Sequence, residues 1–210
     1  MAPRRSPVLL AAAGAVLVVA VLAGGCGSDG PYADGPTDPG ARRSTGTAGP
    51  VRYATSALPR SEPVTIRIPK LGVTAPVTAL GLRPDGTIEV PPLDRPNLAG
   101  WWKGGPTPGE RGPSVILGHV DARGQAAVFA RLKDLRPGDR VEVLRRDGRT
   151  AAFAVQRVEQ VAKAAFPGEK VYAEDLDHAA LRLVTCGGDF DRGTGHYVDN
   201  VIAYTRLVRS

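Results

Sequence analysis

The chain has 210 residues and 42% hydrophobic content, enough for one sizeable globular domain with attachments. Its 19 prolines and 26 glycines predict many turns and exclude an architecture of long helices. A formal net charge of +6 favours anionic surfaces, yet the basic residues are mixed with Asp and Glu, as in RPGDRVEVLRRDGR at 136–149. No basic stripe interleaves with aromatics, so nucleic acid is not an expected partner.

The first 25 residues read as a signal peptide or membrane anchor. Arg4 and Arg5 precede VLLAAAGAVLVVAVLAGG at 8–25, an uncharged apolar run. This matches the charged and apolar regions of a secretory signal and is just long enough to span a bilayer. The leading arginines predict an N-in orientation with the rest of the chain outside, on the extracytoplasmic face. LAGGC resembles a bacterial lipobox, with Ala23 where leucine is usual, so Cys26 is lipidated, or the segment is a plain anchor or a cleaved peptide. In each case Cys26 is removed from pairing with Cys186, which is left as a lone thiol in an oxidising compartment.

Residues 26–60 are rich in Gly, Pro, Ser, Thr and Asp and read as a flexible linker. The domain is expected over 61–210. VTIRIPKL at 64–71 alternates Val64, Ile66 and Ile68 against polar residues, a half-buried strand. VTAPVTAL follows, then the turn RPDG and a strand TIEV at 87–90. PSVILGHV at 113–120 suits an interior strand. AAVFARLKDL at 126–135 places Val128, Leu132 and Leu135 at helical spacing and predicts a short helix. RVEVLRRDGRTAAFAVQRVEQV at 140–161 reads as a hairpin turning at Arg-Asp-Gly-Arg. VYAEDLD at 171–177 predicts a helical turn, and ALRLVTC at 180–186 and NVIAYTRLV at 200–208 complete the strands. Seven or eight short strands separated by turn residues predict an all-β barrel or sandwich.

Cys186 ends an apolar run and is followed at once by Gly187 and Gly188, where a strand would hand a thiol to a cleft. A thiol nucleophile commonly takes a histidine partner. Of the three histidines, His119 ends PSVILGHVD just as Cys186 ends ALRLVTC, whereas His178 and His196 read as surface residues. The His119-Val120-Asp121 stretch offers too few ligands for a metal site. Neither a G-x-S-x-G elbow nor a phosphate-binding glycine loop is present, so no metal and no cofactor is expected.

Together LRLVTC, ILGHVD, the opening IRIPKLGV and the exported N-terminus resemble the sortases, cysteine transpeptidases of Gram-positive cell surfaces. The family motif TLxTC is kept at Leu183, Thr185 and Cys186, with Arg182 where Thr is usual. The tail CGG-FD…G-x-Y-x-DN-V looks most like class F sortases of actinobacteria, and the resemblance covers about 62–208. It implies an eight-stranded β-barrel with short helices. It also implies Cys186 as nucleophile on an LPxTG-like sorting signal of surface proteins, His119 as acid and base, and an amine acceptor such as a peptidoglycan precursor. The family's oxyanion-stabilising arginine has no counterpart where it is usual, at Val198, Asp199 or Asn200. Arg192 is the nearest candidate, with Arg206 and Arg182 as alternatives. Thr185, Asp121 and Phe166 are the positions expected at the substrate, with Val161 and Ala164 beside them; Asp121 or Asp191 would orient His119. Two other readings remain: a hydrolytic cysteine peptidase, in which water resolves the thioester, and a non-catalytic wall-associated lipoprotein with a buried Cys186.

Overall fold

A computed structural model describes residues 50–209. The apolar run 8–25, Cys26 and most of the expected linker lie outside the described residues, and among the described residues no helix is long and apolar enough to cross a membrane.

Among the described residues ten strands are formed: β1 (Pro63–Ile68), β2 (Val73–Leu80), β3 (Ala99–Trp102), β4 (Gly112–Leu117), β5 (Asp121–Ala122), β6 (Gln125–Ala126), β7 (Arg140–Arg145), β8 (Thr150–Ala162), β9 (Ala179–Asp191) and β10 (His196–Leu207). Eight close into a barrel in the order β1-β2-β3-β4-β9-β10-β8-β7, and β5 and β6 form a separate small ribbon. Closure removes free sheet edges, the usual liability of a β-rich chain. The pairs β2–β3 and β4–β9 are parallel, the others antiparallel.

The strands follow the period-2 rule, with one side of each filling the barrel. Ile66, Ile68, Trp101, Ile116, Val141, Val143, Phe153, Leu181, Leu183 and Ala203 make the interior. Val64 does not join them, contrary to the alternation, and remains 40% exposed. The register between β1 and β7 shifts between Pro63 and Thr65, and this bulge turns Val64 out.

Several sequence expectations change at this level. The helix expected over 126–135 is a run of turns ending in one 3-10 turn, Leu132–Asp134. Its spaced residues Val128, Leu132 and Leu135 are all buried, so the spacing marked burial without marking helix. TIEV contributes only an isolated bridge, Leu82 to Ile88. The sole α-helix among the described residues is α1 (Gly168–Tyr172), earlier than the helical turn expected at 171–177. The folded unit also begins upstream of Ser61. Tyr53 bridges Val208, the Ala54 N–H donates to the Leu207 carbonyl at 2.9 Å, and the Leu58 N–H donates to that of Gly109 at 2.8 Å. Buried Arg145 fastens this strap, donating to the carbonyls of Pro59 at 2.6 Å and Pro108 at 2.9 Å and to the Asp147 carboxylate at 2.8 Å. The composition of 50–60 is that of a linker, but its backbone finds partners on the barrel.

Candidate active site

β4 and β9 run parallel in strict register from Gly112–Ala179 to Leu117–Val184. The Gly118 N–H extends the ladder by one bond, donating to the Val184 carbonyl at 3.1 Å. One more step along each chain brings His119 level with Cys186. Neighbouring strands lie about 4.8 Å apart, so the imidazole and the thiol issue from adjacent positions at the same end of the barrel. Both residues are half-buried. Gly118 is required before His119, because a Cβ there would lie 2.5 Å from Phe129 Cδ2 and 2.6 Å from Val128 Cγ1.

The His119 ring is fixed on one side. Its Nε2 lies 2.6 Å from the Pro91 carbonyl oxygen. A carbonyl only accepts, so Nε2 carries the proton in this bond, and Nδ1 is the nitrogen left for proton exchange. The main chain is held as well, by the Phe129 N–H on the His119 carbonyl at 3.0 Å.

Two surfaces meet at Cys186. On the outer face of the barrel, Val115, Val184, Ile202 and Tyr204 form an apolar cluster beneath the segment linking β8 to β9. Val171, Phe166 and Tyr172 from that segment cover it, and Leu117 and Val161 flank it. Val184 and Cys186 are two apart on β9, so the thiol stands at the end of this apolar stripe. On the other side, a cleft of about 320 Å³ opens at the barrel mouth, lined by Cys186, Thr185, Gly187, Gln160, Lys133 and Tyr197, among others. A larger groove of about 620 Å³ runs along the strap by Leu58 and Leu207 and holds neither cysteine nor histidine.

The glycines after Cys186 do not end the strand, which continues to Asp191. They make room for β10: a Cβ on Gly187 would lie 2.6 Å from Val201 Cγ2, and Gly188 has φ +73° and abuts the Asp199 side chain.

The expected site residues divide. Phe166 and Val161 belong to the apolar wall, while Ala164 is exposed. Thr185 is buried on the inner face at the barrel mouth, with its hydroxyl unpartnered among the described residues. Asp121 starts β5 and lies near Tyr197, whose hydroxyl is pushed above its usual range first by burial and then by the neighbouring Asp121 carboxylate and Cys186. Asp191 is occupied elsewhere: the Gly193 N–H and the Thr194 hydroxyl bind it in the hairpin turn and hold its pKa down.

Arg192 is not level with Cys186 on the β9–β10 ladder. It is exposed at the β9–β10 tip, six residues on, up to about 20 Å along an extended strand. Arg206 pairs with Ala180 at the opposite end of β9 and lies 4.9 Å over the Tyr53 ring. Arg182 is buried four residues before Cys186, donating to Glu174 at 2.8 Å. The hairpin is longer than a turn after Gly-Gly implies, so counting residues past the cysteine misplaces its tip. Tyr197, Lys133 and Gln160 were not singled out from sequence. Tyr197 was legible only as part of the GHY stretch, and the other two carried no signal.

A family model described as a sortase domain matches residues 66–208. No curated protein matches the sequence significantly. Among solved structures, the fold is similar to sortase C1 of GBS pilus island 1, at 18% identity and TM-score 0.54, covering 70% of this chain and 64% of that one. Sortase C-1 from Actinomyces oris is similar at 22% identity and TM-score 0.55, covering 71% and 76%. A lid mutant of sortase A from Corynebacterium diphtheriae gives 17% identity and TM-score 0.55, covering 73% of each chain. The chain thus spans less than two thirds of the first of these, and at such identities the likeness is one of fold.

Proposed function

The chain belongs to the sortase family, and from that premise we propose that it is a class F-like cysteine transpeptidase. Its donor is an LPxTG-like sorting signal and its acceptor an amine at the cell surface. The observation that carries this reading is the shared level of His119 and Cys186 at the ends of adjacent parallel strands, beside an unbroken apolar face.

The Cys186 thiolate adds to the scissile carbonyl, forming an S–C bond and moving the π electrons onto oxygen. Collapse breaks the C–N bond, and the leaving amine takes a proton from His119 Nδ1, an acid–base role suited to imidazole near neutral pH. The incoming amine loses its proton to the same nitrogen, adds to the thioester and expels the thiolate. The apolar side chains of the sorting motif lie beside Phe166, Val161 and Leu117, the half-buried residues that flank the covered cluster, where burying one such side chain contributes about 1.5–3 kcal/mol. Asp121 and Tyr197 flank the site, and Thr185 shapes the cleft behind the nucleophile.

The apolar run 8–25 behind Arg4 and Arg5 supports export, with the domain outside and the membrane as an N-terminal partner, anchored by that segment or by lipidation at Cys26. The tail CGG-FD…G-x-Y-x-DN-V supports the class F assignment, and a peptidoglycan cross-bridge supplies an amine of the right kind.

The test is the full-length chain with a fluorogenic LPxTG-type peptide, with and without added amine, beside Cys186→Ala and His119→Ala. Cleavage abolished in both variants, with amine-dependent ligation in the parent, is the expected result. Cleavage that yields only the hydrolysed peptide at every amine concentration refutes transfer. A Cys186 inert to thiol reagents until the protein unfolds refutes catalysis altogether.

A further inference from the structure

Addition of a thiolate to an amide carbonyl places a full negative charge on oxygen, and a fixed donor aimed at that oxygen is commonly the largest single contribution to rate. None of the three candidate arginines stands level with Cys186, yet the strand register puts one donor there. β9 and β10 pair without interruption from Ala180–Arg206 to Gly187–Asp199, and within this run Cys186 lies directly opposite Asn200. The register shift comes later, between Tyr197 and Asp199. Residues directly opposite in an antiparallel pair share a face, with their Cβ atoms about 4.5–5.5 Å apart. The next pair on that face, Val184 with Ile202, belongs to the outer apolar cluster, which fixes the side on which Asn200 and Cys186 emerge.

We propose that the Asn200 carboxamide is the side-chain hydrogen-bond donor to the oxyanion formed on Cys186, and this rests on the reading of Cys186 as an acylated nucleophile. Asn200 is half-buried, between Cys186 on β9 and Val161 on β8. Its amide has two N–H donors on a short stem with few rotamers to lose. His119, Cys186, Asn200 and Val161 therefore form one row across four neighbouring strands: acid–base group, nucleophile, oxyanion donor and apolar flank. The adjacent carboxylate does not disturb this arrangement. Asp199 alternates to the other face, where it accepts from Gln160 Nε2 at 2.7 Å. Asn200 gains and loses no proton during the reaction; its N–H bond to the oxygen shortens as charge develops and relaxes when the carbonyl re-forms.

The experiment measures kcat and KM of the full-length chain for the donor peptide, together with the rate at which Cys186 reacts with a methanethiosulfonate reagent. Asn200→Ala is expected to lower kcat about 10²–10³-fold, the usual loss for one oxyanion donor, with KM within about threefold because the ground-state carbonyl is not the target. Labelling of Cys186 should keep the parental rate, showing that thiol and fold are intact. Asn200→Asp keeps the size, removes the donors and adds a repelling charge, so it is expected to lose more. Parental kcat in both variants overturns the assignment. So does a loss of labelling matching the loss of kcat, which would mean that Asn200 acts on the thiol. A 100-fold fall in Arg192→Ala with Asn200→Ala unaffected would move the donor to the hairpin tip. A parent that forms no Cys186 thioacyl adduct overturns the underlying transpeptidase reading instead.

Discussion

Among the charged pairs that tie down the segment over the outer apolar face, Arg182 with Glu174 is the one with a buried guanidinium, and breaking it tests how that face is maintained. Arg182 is 4% exposed and donates through Nη2 to Glu174 Oε2 at 2.8 Å, with a long 3.4 Å contact from Nη1 to the Thr205 carbonyl. Its guanidinium lies 4.8 Å from the Tyr204 ring. Burial lowers its pKa while Glu174 opposes that shift. Glu174→Gln removes the countercharge without changing size. Removing one partner of a fully buried pair costs about 3–5 kcal/mol. Because the Glu174 side chain is 34% exposed, water offsets part of this, and the expected cost is about 2 kcal/mol. At about 2–4 °C per kcal/mol for a domain of this size, Tm should fall by about 4–8 °C. Urea denaturation gives the same quantity from the midpoint. Arg182→Met alone should be tolerated far better, and combining it with Glu174→Gln should recover most of the loss, because an apolar replacement leaves no stranded charge. KM for the donor peptide should rise in Glu174→Gln, since Phe166, Val171 and Tyr172 ride on the released segment. A Glu174→Gln protein within about 0.5 kcal/mol of the parent, the range of an ordinary surface change, would mean that the pair does not hold the segment.

Gly118→Ala should destabilise the domain by about 1–3 kcal/mol, the usual cost of overpacking, through contact with Val128 and Phe129. It should also lower kcat by shifting His119; a thermal melt and a single-turnover assay check both effects. Tyr172 is pushed up to about 12 by burial, so its contribution is fully present below the unfolded value near 10 and is lost as pH rises from 10 toward 12. About 2 kcal/mol of stability should disappear over that window and persist in Tyr172→Phe, as read by denaturation at pH 9 and pH 11.5. Equal slopes in the two proteins would contradict it.

The hairpin at Arg-Asp-Gly-Arg was legible because turn chemistry and alternating flanks agree, and β7 and β8 form on either side of it. Cys186 and His119 were legible as residues that end apolar runs, and parallel pairing of those runs puts them at one level. AGWW at 99–102 was not legible as β3, since proline-rich chain flanks it on both sides, VPPLDRPNL before and KGGPTPGERGP after, and the segment is too short to show a period. The continuation of β9 through Gly187 and Gly188 was hidden for another reason. Glycine punctuates chains locally, but here it serves the close approach of Val201 and Asp199 on the facing strand. The longer strand puts Arg192 beyond its end, in the hairpin turn. The offset along the chain points to Val198, Asp199 and Asn200 together, and only the register singles out Asn200 as the residue opposite Cys186.

The strap from Tyr53 to Leu58 has a mechanical consequence. It joins the barrel beside Leu207 and Val208, seven or eight residues along β10 from Asn200, roughly 25 Å from the reacting end. A pull on the chain at residue 50 would first load the Tyr53 bridge and the Arg145 bond to Pro59, which pass the force to the ends of β10 and β7 remote from Cys186. The barrel can therefore be tugged from its N-terminal side without the tension passing through the row of residues at Cys186.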